Sequence, residues 1–281
     1  MAIILEGKKV SEKIFESIKK EVETYTKKPK LAVILAGNNP ASQIYVALKQ
    51  KRAKELGFDT LDLKFSAEVS QNELLDEIDK LNNDESVNAI LVQLPLPAGI
   101  DKNVIINAIS PKKDVDGFHY ENTGKFTTNQ NPYAIACTAR GIKTLLDYYK
   151  IEIEGKYVVV IGRSNIVGTP VARLMQNNNA TVTVCHSKTK NISKYTKMAD
   201  IVICAIGKPK FLKADMVKPG AVIVDVGINR VDGGIVGDTD FENLLNTASY
   251  ITPVPKGVGP MTVACLMQNT LDLYKLQNCI K

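Results

Sequence analysis

Tyr45 and Lys49 are residues whose types and spacing could support catalysis. They stand four residues apart on a predicted helix, so their side chains would project from one face. A lysine that is uncharged part of the time can take or relay a proton from a substrate. Taken alone, the pair is more typical of an amphipathic helix surface whose lysine extends its ammonium into water.

Further polar candidates stand at a strand end and in a long loop. Gln93 ends a predicted strand, and Asp114 and Asp116 belong to Lys113-Asp-Val-Asp-Gly117. A D-x-D-G run also occurs in calcium loops, but the other ligands of such a loop are absent here. We therefore predict no metal site, and on their own these residues are ordinary surface groups.

The turn Gly162-Arg-Ser-Asn-Ile-Val-Gly168 lies between a continuous apolar strand and a helix. This is the place where a dinucleotide pyrophosphate rests on a helix N-terminus. The spacing G-x-S-x-x-x-G departs from G-x-G-x-x-G, so a strand-to-helix turn without a ligand is the alternative. The strand, turn and helix context favours a nucleotide site.

The end of the next strand indicates which nucleotide is bound. NAD-binding folds usually place Asp or Glu there to hold the ribose 2′-hydroxyl. This chain instead reads Cys185-His-Ser-Lys-Thr189, without a carboxylate. Arg163, Ser187 and Lys188 could meet a 2′-phosphate through charge-assisted hydrogen bonds. The pattern favours NADP over NAD.

Two regions of alternating strands and helices predict an α/β fold with parallel sheets. In the first region, helices are expected at 10–26, 40–57, 70–82, 101–109 and 134–149, with strands at 31–35, 58–65 and 89–93, and residues 110–133 are expected to be loop. In the second region, strands are expected at 157–161, 181–185, 201–205, 221–226 and 250–252, with helices at 168–178 and 261–274.

Composition limits the class of protein. The 36 basic and 30 acidic residues are spread along 281 positions without a basic run, so nucleic acid is not an expected partner. The five cysteines are widely spaced, which favours a reducing compartment and hence a cytoplasmic location. The N-terminus lacks signal-peptide features, and no apolar run is long enough for a membrane helix, so no membrane partner is expected.

Eight segments together resemble the bifunctional methylenetetrahydrofolate dehydrogenase/cyclohydrolase family along essentially the whole chain. In order they are Asn39-Pro-Ala-Ser-Gln-Ile-Tyr-Val46 with Lys49; Ile90-Leu-Val-Gln-Leu-Pro-Leu-Pro97; Lys113-Asp-Val-Asp-Gly-Phe-His119; Cys137-Thr138; Gly162-Arg-Ser-Asn-Ile-Val-Gly-Thr-Pro170; Cys185-His-Ser187; Asp225-Val-Gly-Ile-Asn229; and Gly257-Val-Gly-Pro-Met-Thr262 after Ile251-Thr-Pro-Val-Pro255.

The resemblance implies oxidation of 5,10-methylenetetrahydrofolate with NADP, followed by hydrolysis of the methenyl product to 10-formyltetrahydrofolate. Lys49 is similar to the family's cyclohydrolase lysine, Tyr45 to the aromatic that packs on the folate rings, Gln93 to the residue that orients Lys49, and Asp116 to the residue that holds the pterin. The other substrate-binding residues it implies are Leu94, Pro255 and Gly259. The cofactor-binding residues it implies are Thr138, Gly162, Arg163, Ser164, Ser187 and Ile228.

The family's architecture is implied as well: two α/β domains flank a cleft, and the second is a Rossmann-like NADP-binding domain. The expected domains are residues 1–138, completed by a C-terminal helix at 263–281, and residues 139–262. A homodimer, tetrahydrofolate derivatives as partners and a role in purine biosynthesis are further implications of the resemblance.

Several positions depart from the family pattern. Ala136 and Ala139 replace prolines, Arg140 adds charge, and Thr239 replaces the usual valine. Lys256 replaces a glycine, which predicts backbone strain if this position has a positive φ. It would also place a cation near the anionic folate tail.

Three other functions compete with this interpretation. One is a monofunctional NADP-dependent dehydrogenase that has lost hydrolysis, which intact Tyr45, Lys49, Gln93 and Asp116 argue against. Another is a shikimate- or amino-acid-type dehydrogenase, which would share the nucleotide-binding half but not Gln-Leu-Pro-Leu-Pro or Lys-Asp-Val-Asp-Gly. The last is a non-catalytic folate- or nucleotide-binding protein.

Overall fold

The computed structural model describes residues 1–280 and divides the chain into two compact units. We call Met1–Glu12 with Ala136–Cys265 the six-strand unit, and 13–135 with 266–280 the three-strand unit. Both are mixed α/β structures, so the expected fold class is confirmed. Lys281, the last residue of the predicted C-terminal helix, lies outside the described residues.

The strands, in chain order, are β1 (Ile3–Ile4), β2 (Lys30–Ala36), β3 (Asp59–Phe65), β4 (Ala89–Val92), β5 (Tyr157–Ile161), β6 (Thr181–Cys185), β7 (Ile201–Cys204), β8 (Val222–Asp225), β9 (Asn229–Val231), β10 (Gly234–Val236) and β11 (Tyr250–Ile251). The α-helices are α1 (Gly7–Glu23), α2 (Pro40–Glu55), α3 (Gln71–Asn83), α4 (Lys102–Ala108), α5 (Tyr120–Thr127), α6 (Cys137–Tyr148), α7 (Gly168–Asn177), α8 (Ile192–Thr196), α9 (Phe241–Leu244) and α10 (Val258–Gln277).

The three-strand unit is built on a parallel sheet with strand order β3-β2-β4. The apolar run of β2 is almost wholly buried, as expected of a central parallel strand. Ile34 packs with Leu74 and Ile78 of α3 in the core on one face of the sheet. Ser70 and Glu73 form the expected capping box, which satisfies free amides at the start of α3.

The six-strand unit has a parallel sheet of order β1-β11-β8-β7-β5-β6. The apolar strands β5, β7 and β8 lie in its centre and are buried. The connections between them place the carboxyl ends of all these strands along one edge, where ligands bind in open parallel sheets.

The structure differs from the sequence-based expectation in several places. Residues 1–12, expected in the first domain, belong to the six-strand unit because β1 pairs with β11. Helix α5 lies within the expected 110–133 loop and begins with His119, whose Nδ1 accepts from the Glu121 amide. The antiparallel pair β9–β10 was not anticipated either. These short elements have too little periodicity to stand out in the sequence.

Candidate active site

Helix α2 carries Tyr45 and Lys49 on the three-strand unit. The helix begins where expected because the Asn39 side chain accepts from the amides of Ala41 and Ser42, and Pro40 occupies the first turn. Tyr45 and Lys49 are both half-buried, which is unlike a freely solvated lysine at the helix surface.

Gln93 stands directly after β4 and joins Lys49 to the sheet. The Lys49 Nζ donates to Gln93 Oε1 at 3.0 Å. The Gln93 amide hydrogen-bonds to Ile34 O at 2.9 Å, and Gln93 Nε2 donates to Leu94 O at 2.7 Å. Backbone and side chain of Gln93 are thus both held, so its Oε1 is a fixed acceptor for the lysine.

Asp114 and Asp116 occupy different environments. Asp114 is buried and accepts from the amides of Gly117 and His119 and from Asn122 Nδ2, at 3.1, 2.8 and 2.9 Å. Burial raises the pKa of the Asp114 carboxyl, and the hydrogen bonds from the Asn122 side chain and the His119 amide partly oppose the rise. Asp114 therefore folds the loop, whereas the half-buried Asp116 is the carboxylate of this motif that water or a ligand can reach.

The glycine turn of the six-strand unit brings α7 close to the sheet edge. A Cβ at Gly162 would lie 2.2 Å from Ala205 O, and a Cβ at Gly168 would lie 2.3 Å from Gly162 O. Both positions therefore require glycine for close backbone packing. Ser164 Oγ accepts from the amides of Val167 and Gly168 at 3.2 and 3.3 Å, so it caps the start of α7.

The ends of β5 and β6 meet beside this turn. The Gly162 amide donates to Cys185 O at 2.8 Å, which brings the segment after Gly162 next to the segment after Cys185. Arg163, Ser187 and Lys188 are all exposed there. The donors at this edge are cationic or neutral, and they fit the 2′-phosphate of NADP better than a free ribose hydroxyl.

A buried carboxylate pair, Asp225 and Asp238, for which no role was predicted from the sequence, holds the neighbouring loops. Asp238 accepts from the amides of Ile206, Gly207 and Lys208 at 2.7, 2.9 and 2.8 Å. It also accepts from Asn229 Nδ2 at 2.8 Å. The loop after β7 is therefore organised around one fully buried carboxylate.

Asp225, at the end of β8, is the second member of the pair. It accepts from the amides of Gly227, Asp238 and Thr239 and, at 2.6 Å, from Thr239 Oγ1. Burial raises the pKa of Asp225, and the Thr239 hydroxyl is the largest influence opposing that rise. The departure from valine at position 239 thus supplies an added donor to a buried acid.

Two glycines were the sequence signal for this pair. A Cβ at Gly227 would lie 2.3 Å from Asp238 Oδ1, and one at Gly237 would lie 2.0 Å from Asp225 Oδ2. The pattern Asp225-x-Gly227 followed by Gly237-Asp238 could therefore be detected in the sequence, with the two aspartates thirteen positions apart. Only the fold shows that the two segments meet.

The remaining expected site residues lie in the six-strand unit. Ile228 is exposed, and a Cβ at Gly259 would lie 3.9 Å from Ile228 Cδ1, so these two positions are neighbours. Thr138 Oγ1 lies 3.2 Å from Thr262 Oγ1. Pro255 is exposed, and Lys256 beside it has a φ of 84°, the left-handed conformation for which backbone strain was predicted.

Two family models together cover most of the chain. The catalytic domain of tetrahydrofolate dehydrogenase/cyclohydrolase matches residues 5–116, and the NAD(P)-binding domain of the same family matches residues 136–278. The chain belongs to the tetrahydrofolate dehydrogenase/cyclohydrolase family.

Individual relatives of the family agree along the full length. The bifunctional protein FolD of Halothermothrix orenii is 53% identical over 98% of this chain and 99% of its own. The crystal structure of the bifunctional enzyme FolD from Campylobacter jejuni superimposes with a TM-score of 0.96 at 48% identity, covering 98% and 99% of the two chains. FolD from Trypanosoma brucei, complexed with NADP cofactor and inhibitor, has a TM-score of 0.93 at 39% identity and 98% coverage of both.

The described residues contain neither a metal-binding cluster nor a membrane-spanning helix. Within residues 1–280, no group of three or more His, Cys, Asp or Glu side chains is placed to hold a metal ion. Over the same described range, no helix has the length and apolar character needed to cross a membrane.

Proposed function

We propose that this protein oxidises 5,10-methylenetetrahydrofolate with NADP and then hydrolyses 5,10-methenyltetrahydrofolate to 10-formyltetrahydrofolate. The 3.0 Å hydrogen bond between Lys49 and Gln93 is the main observation that supports the proposed cyclohydrolase activity. A purely dehydrogenating enzyme has no need for a half-buried lysine held on a fixed amide oxygen.

For the dehydrogenase step, the protein mainly has to align two ring systems. Bound NADP supplies the hydride acceptor, and the folate nitrogens stabilise the resulting methenyl cation. Arg163, Ser187 and Lys188 hold the 2′-phosphate, while Gly162, Ser164 and the start of α7 receive the pyrophosphate. Thr138 and Ile228 complete the cofactor-binding set.

For the hydrolase step, water adds to the methenyl carbon. Lys49, when uncharged, takes one proton of the attacking water and later releases it to solvent. As the carbon–N5 bond opens, the remaining hydroxyl proton is transferred to N5, and the C=O bond that forms leaves a formyl group on N10. Tyr45 stacks on the folate rings, and Gln93 keeps Lys49 directed at the reacting carbon. Asp116 accepts hydrogen bonds from the pterin N–H groups, and Leu94, Pro255 and Gly259 complete the substrate contacts.

The wider biological setting is also part of the proposal. The five cysteines are free thiols, as suits a reducing cytoplasm. The product carries a formyl group at the oxidation level that purine biosynthesis consumes. We assign a homodimer by the family resemblance, and light scattering coupled to size-exclusion chromatography tests it through the measured mass.

One spectrophotometric assay tests both chemical steps. Purified protein is mixed with 5,10-methylenetetrahydrofolate and NADP, and NADPH and methenyltetrahydrofolate are followed together, with NAD in parallel. We expect NADPH to form without a matching accumulation of methenyltetrahydrofolate. The Lys49→Met variant should still form NADPH, but methenyltetrahydrofolate should accumulate in an amount equal to the NADPH formed. The control is Lys54→Met, which replaces an exposed lysine of the same helix and should behave as wild type.

The same assay distinguishes the alternatives. Methenyltetrahydrofolate accumulating with wild-type protein identifies a monofunctional dehydrogenase. Absence of NADPH beside an active control enzyme contradicts the proposal and favours a binding protein. A Lys49→Met protein that hydrolyses methenyltetrahydrofolate at the wild-type rate removes Lys49 from the mechanism.

A further inference from the structure

A cavity lies in the three-strand unit, away from the Lys49–Gln93 pair. Its volume is about 830 Å³, and its wall includes Lys30 and Asp59, the first residues of β2 and β3, and Asn88 just before β4. It therefore opens at the amino ends of the parallel strands, whereas Gln93 follows the carboxyl end of β4. The seven residues of β2, at about 3.3 Å per residue, separate these edges by about 20 Å.

The wall of this cavity is strongly basic. It contains the lysines Lys27, Lys28, Lys30, Lys112 and Lys113, against the carboxylates of Asp59 and Glu85. Ser86 and Ser110 add hydroxyl groups to the same wall. The cavity thus concentrates cationic and neutral donors in a space of the size that holds small ligands.

Two of these lysines cap helix ends instead of pairing with acids. Lys28 Nζ donates to Val22 O and Tyr25 O, at 2.9 and 2.6 Å, beside the end of α1. Lys113 Nζ donates to Leu81 O and Asp84 O, at 2.9 and 2.8 Å, at the end of α3. These carbonyl acceptors carry at most the partial negative charge of a helix C-terminus, so each lysine keeps a net positive charge towards the cavity.

Lys113 is also the lysine of the Lys-Asp-Val-Asp-Gly motif, and the proposed chemistry leaves it unused. Only 8% of its surface is exposed. Burial lowers the pKa of Lys113, and the negative charges of Asp84 and Glu85 oppose this decrease. Within the described residues, neither of these carboxylates contacts the Lys113 ammonium group. A further anion in the cavity would compensate this buried charge.

Two other ammonium groups are available to such an anion. In the part of the chain that the structure describes, Lys27 Nζ has no hydrogen-bond or ion-pair partner, and Lys112 Nζ contacts only the Tyr133 ring, 5.8 Å from its centroid. Lys30 Nζ is bound by a neutral hydroxyl, Ser86 Oγ, at 3.0 Å.

We propose that this cavity binds a small molecule carrying two or more oxyanion groups, phosphates or carboxylates. Lys27, Lys30 and Lys112 hold these groups by charge-assisted hydrogen bonds, which are stronger and shorter than neutral ones. Ser86 and Ser110 supply further donors. The lining of this cavity shares no residue with the substrate and nucleotide sets proposed above.

Binding of two probes to the full-length protein tests the site. Inorganic tripolyphosphate represents phosphates and triglutamate represents carboxylates, and each is titrated by calorimetry at constant ionic strength. The double variant Lys27→Glu/Lys112→Glu removes two cations without breaking a side-chain hydrogen bond. Lys19→Glu/Lys102→Glu, two exposed lysines of the same unit, makes the same charge change elsewhere.

We expect at least one probe to bind wild-type protein and the Lys19/Lys102 variant equally, and to bind the Lys27/Lys112 variant about tenfold or more weakly. The probe that shows this loss identifies the phosphate or the carboxylate as the natural group. The unfolding midpoint and the KM for NADP should match in both variants, which shows that fold and nucleotide site are intact. Equal affinity in all three proteins, or no binding of either probe, would overturn the proposal. So would complete displacement of the probe by NADP while the KM for NADP is unchanged in the variants, because the probe would then be bound at the nucleotide site.

Discussion

Lys49 Nζ lies 3.0 Å from Gln93 Oε1, although the two residues are 44 positions apart in the chain. The contact joins a helix side chain to the residue that immediately follows a buried strand. It sets the direction of the lysine, because Gln93 is itself held by its backbone amide and by its Nε2.

Replacing Gln93 by alanine should therefore reduce hydrolysis more than dehydrogenation. Loss of the hydrogen bond that orients Lys49 costs about 0.5–1.5 kcal/mol, which corresponds to about a 2- to 13-fold lower cyclohydrolase kcat/KM. The NADP-dependent rate should change far less, since hydride transfer needs no lysine. Gln43→Ala, at an exposed position of α2, the helix that carries Lys49, is the control and should leave both rates unchanged. Equal losses in the two activities of Gln93→Ala would assign Gln93 to general substrate binding.

Introducing a carboxylate at the end of β6 should change the cofactor preference. In Ser187→Asp, the new charge repels a 2′-phosphate and accepts hydrogen bonds from a free ribose. We expect the ratio of kcat/KM for NADP to kcat/KM for NAD to fall by about 10- to 100-fold, because the substitution replaces one charge-assisted hydrogen bond with like-charge repulsion. Gln176→Glu adds the same charge near the opposite end of α7 and should leave the ratio unchanged. An unaltered ratio in Ser187→Asp would place the 2′-phosphate elsewhere.

Removing the Thr239 hydroxyl should destabilise the protein in a pH-dependent way. Burial raises the pKa of Asp225 above its ordinary 3.8, so this carboxyl costs stability as the pH rises from 3.8 through its folded value. The Thr239 hydrogen bond reduces that cost. Thr239→Val should therefore lose about 1–3 kcal/mol of unfolding free energy near pH 7, and less near pH 4, where Asp225 is more protonated.

Urea unfolding at the two pH values measures this difference. Thr181→Val, at an exposed position of β6, is the matched control and should show no such pH dependence. An identical loss at both pH values for Thr239→Val would mean that the hydroxyl does not act through the charged form of Asp225.

Restoring glycine at position 256 should stabilise the protein. Lys256 has a φ of 84°, a conformation that costs a residue with a Cβ about 1–2 kcal/mol. Part of that gain is offset by the greater freedom of glycine in the unfolded chain, so we expect a net gain of about 0.5–1 kcal/mol for Lys256→Gly. Thermal unfolding checks it against Lys213→Gly, where φ is −105° and the same change should destabilise. A loss in Lys256→Gly would show that the lysine side chain makes a compensating contact.

The sequence by itself determined the family, the α/β class and the set of candidate residues. These rest on local information: residue type, short spacing such as Tyr45 to Lys49, and strand–turn–helix patterns around Gly162. Capping residues such as Asn39 and Ser70 also act within a few positions, so the starts of α2 and α3 were predictable.

Only the tertiary structure decided which distant residues meet. The pairing of β1 with β11, the cradle that Asp238 forms around the loop after β7, and the lysine cavity all join segments far apart in sequence. Asp114 and Asp116 are the same residue type two positions apart, yet one is buried in loop hydrogen bonds and the other is half-buried. Such assignments depend on burial and long-range hydrogen bonding, which arise from the packing of the whole unit and not from any local pattern.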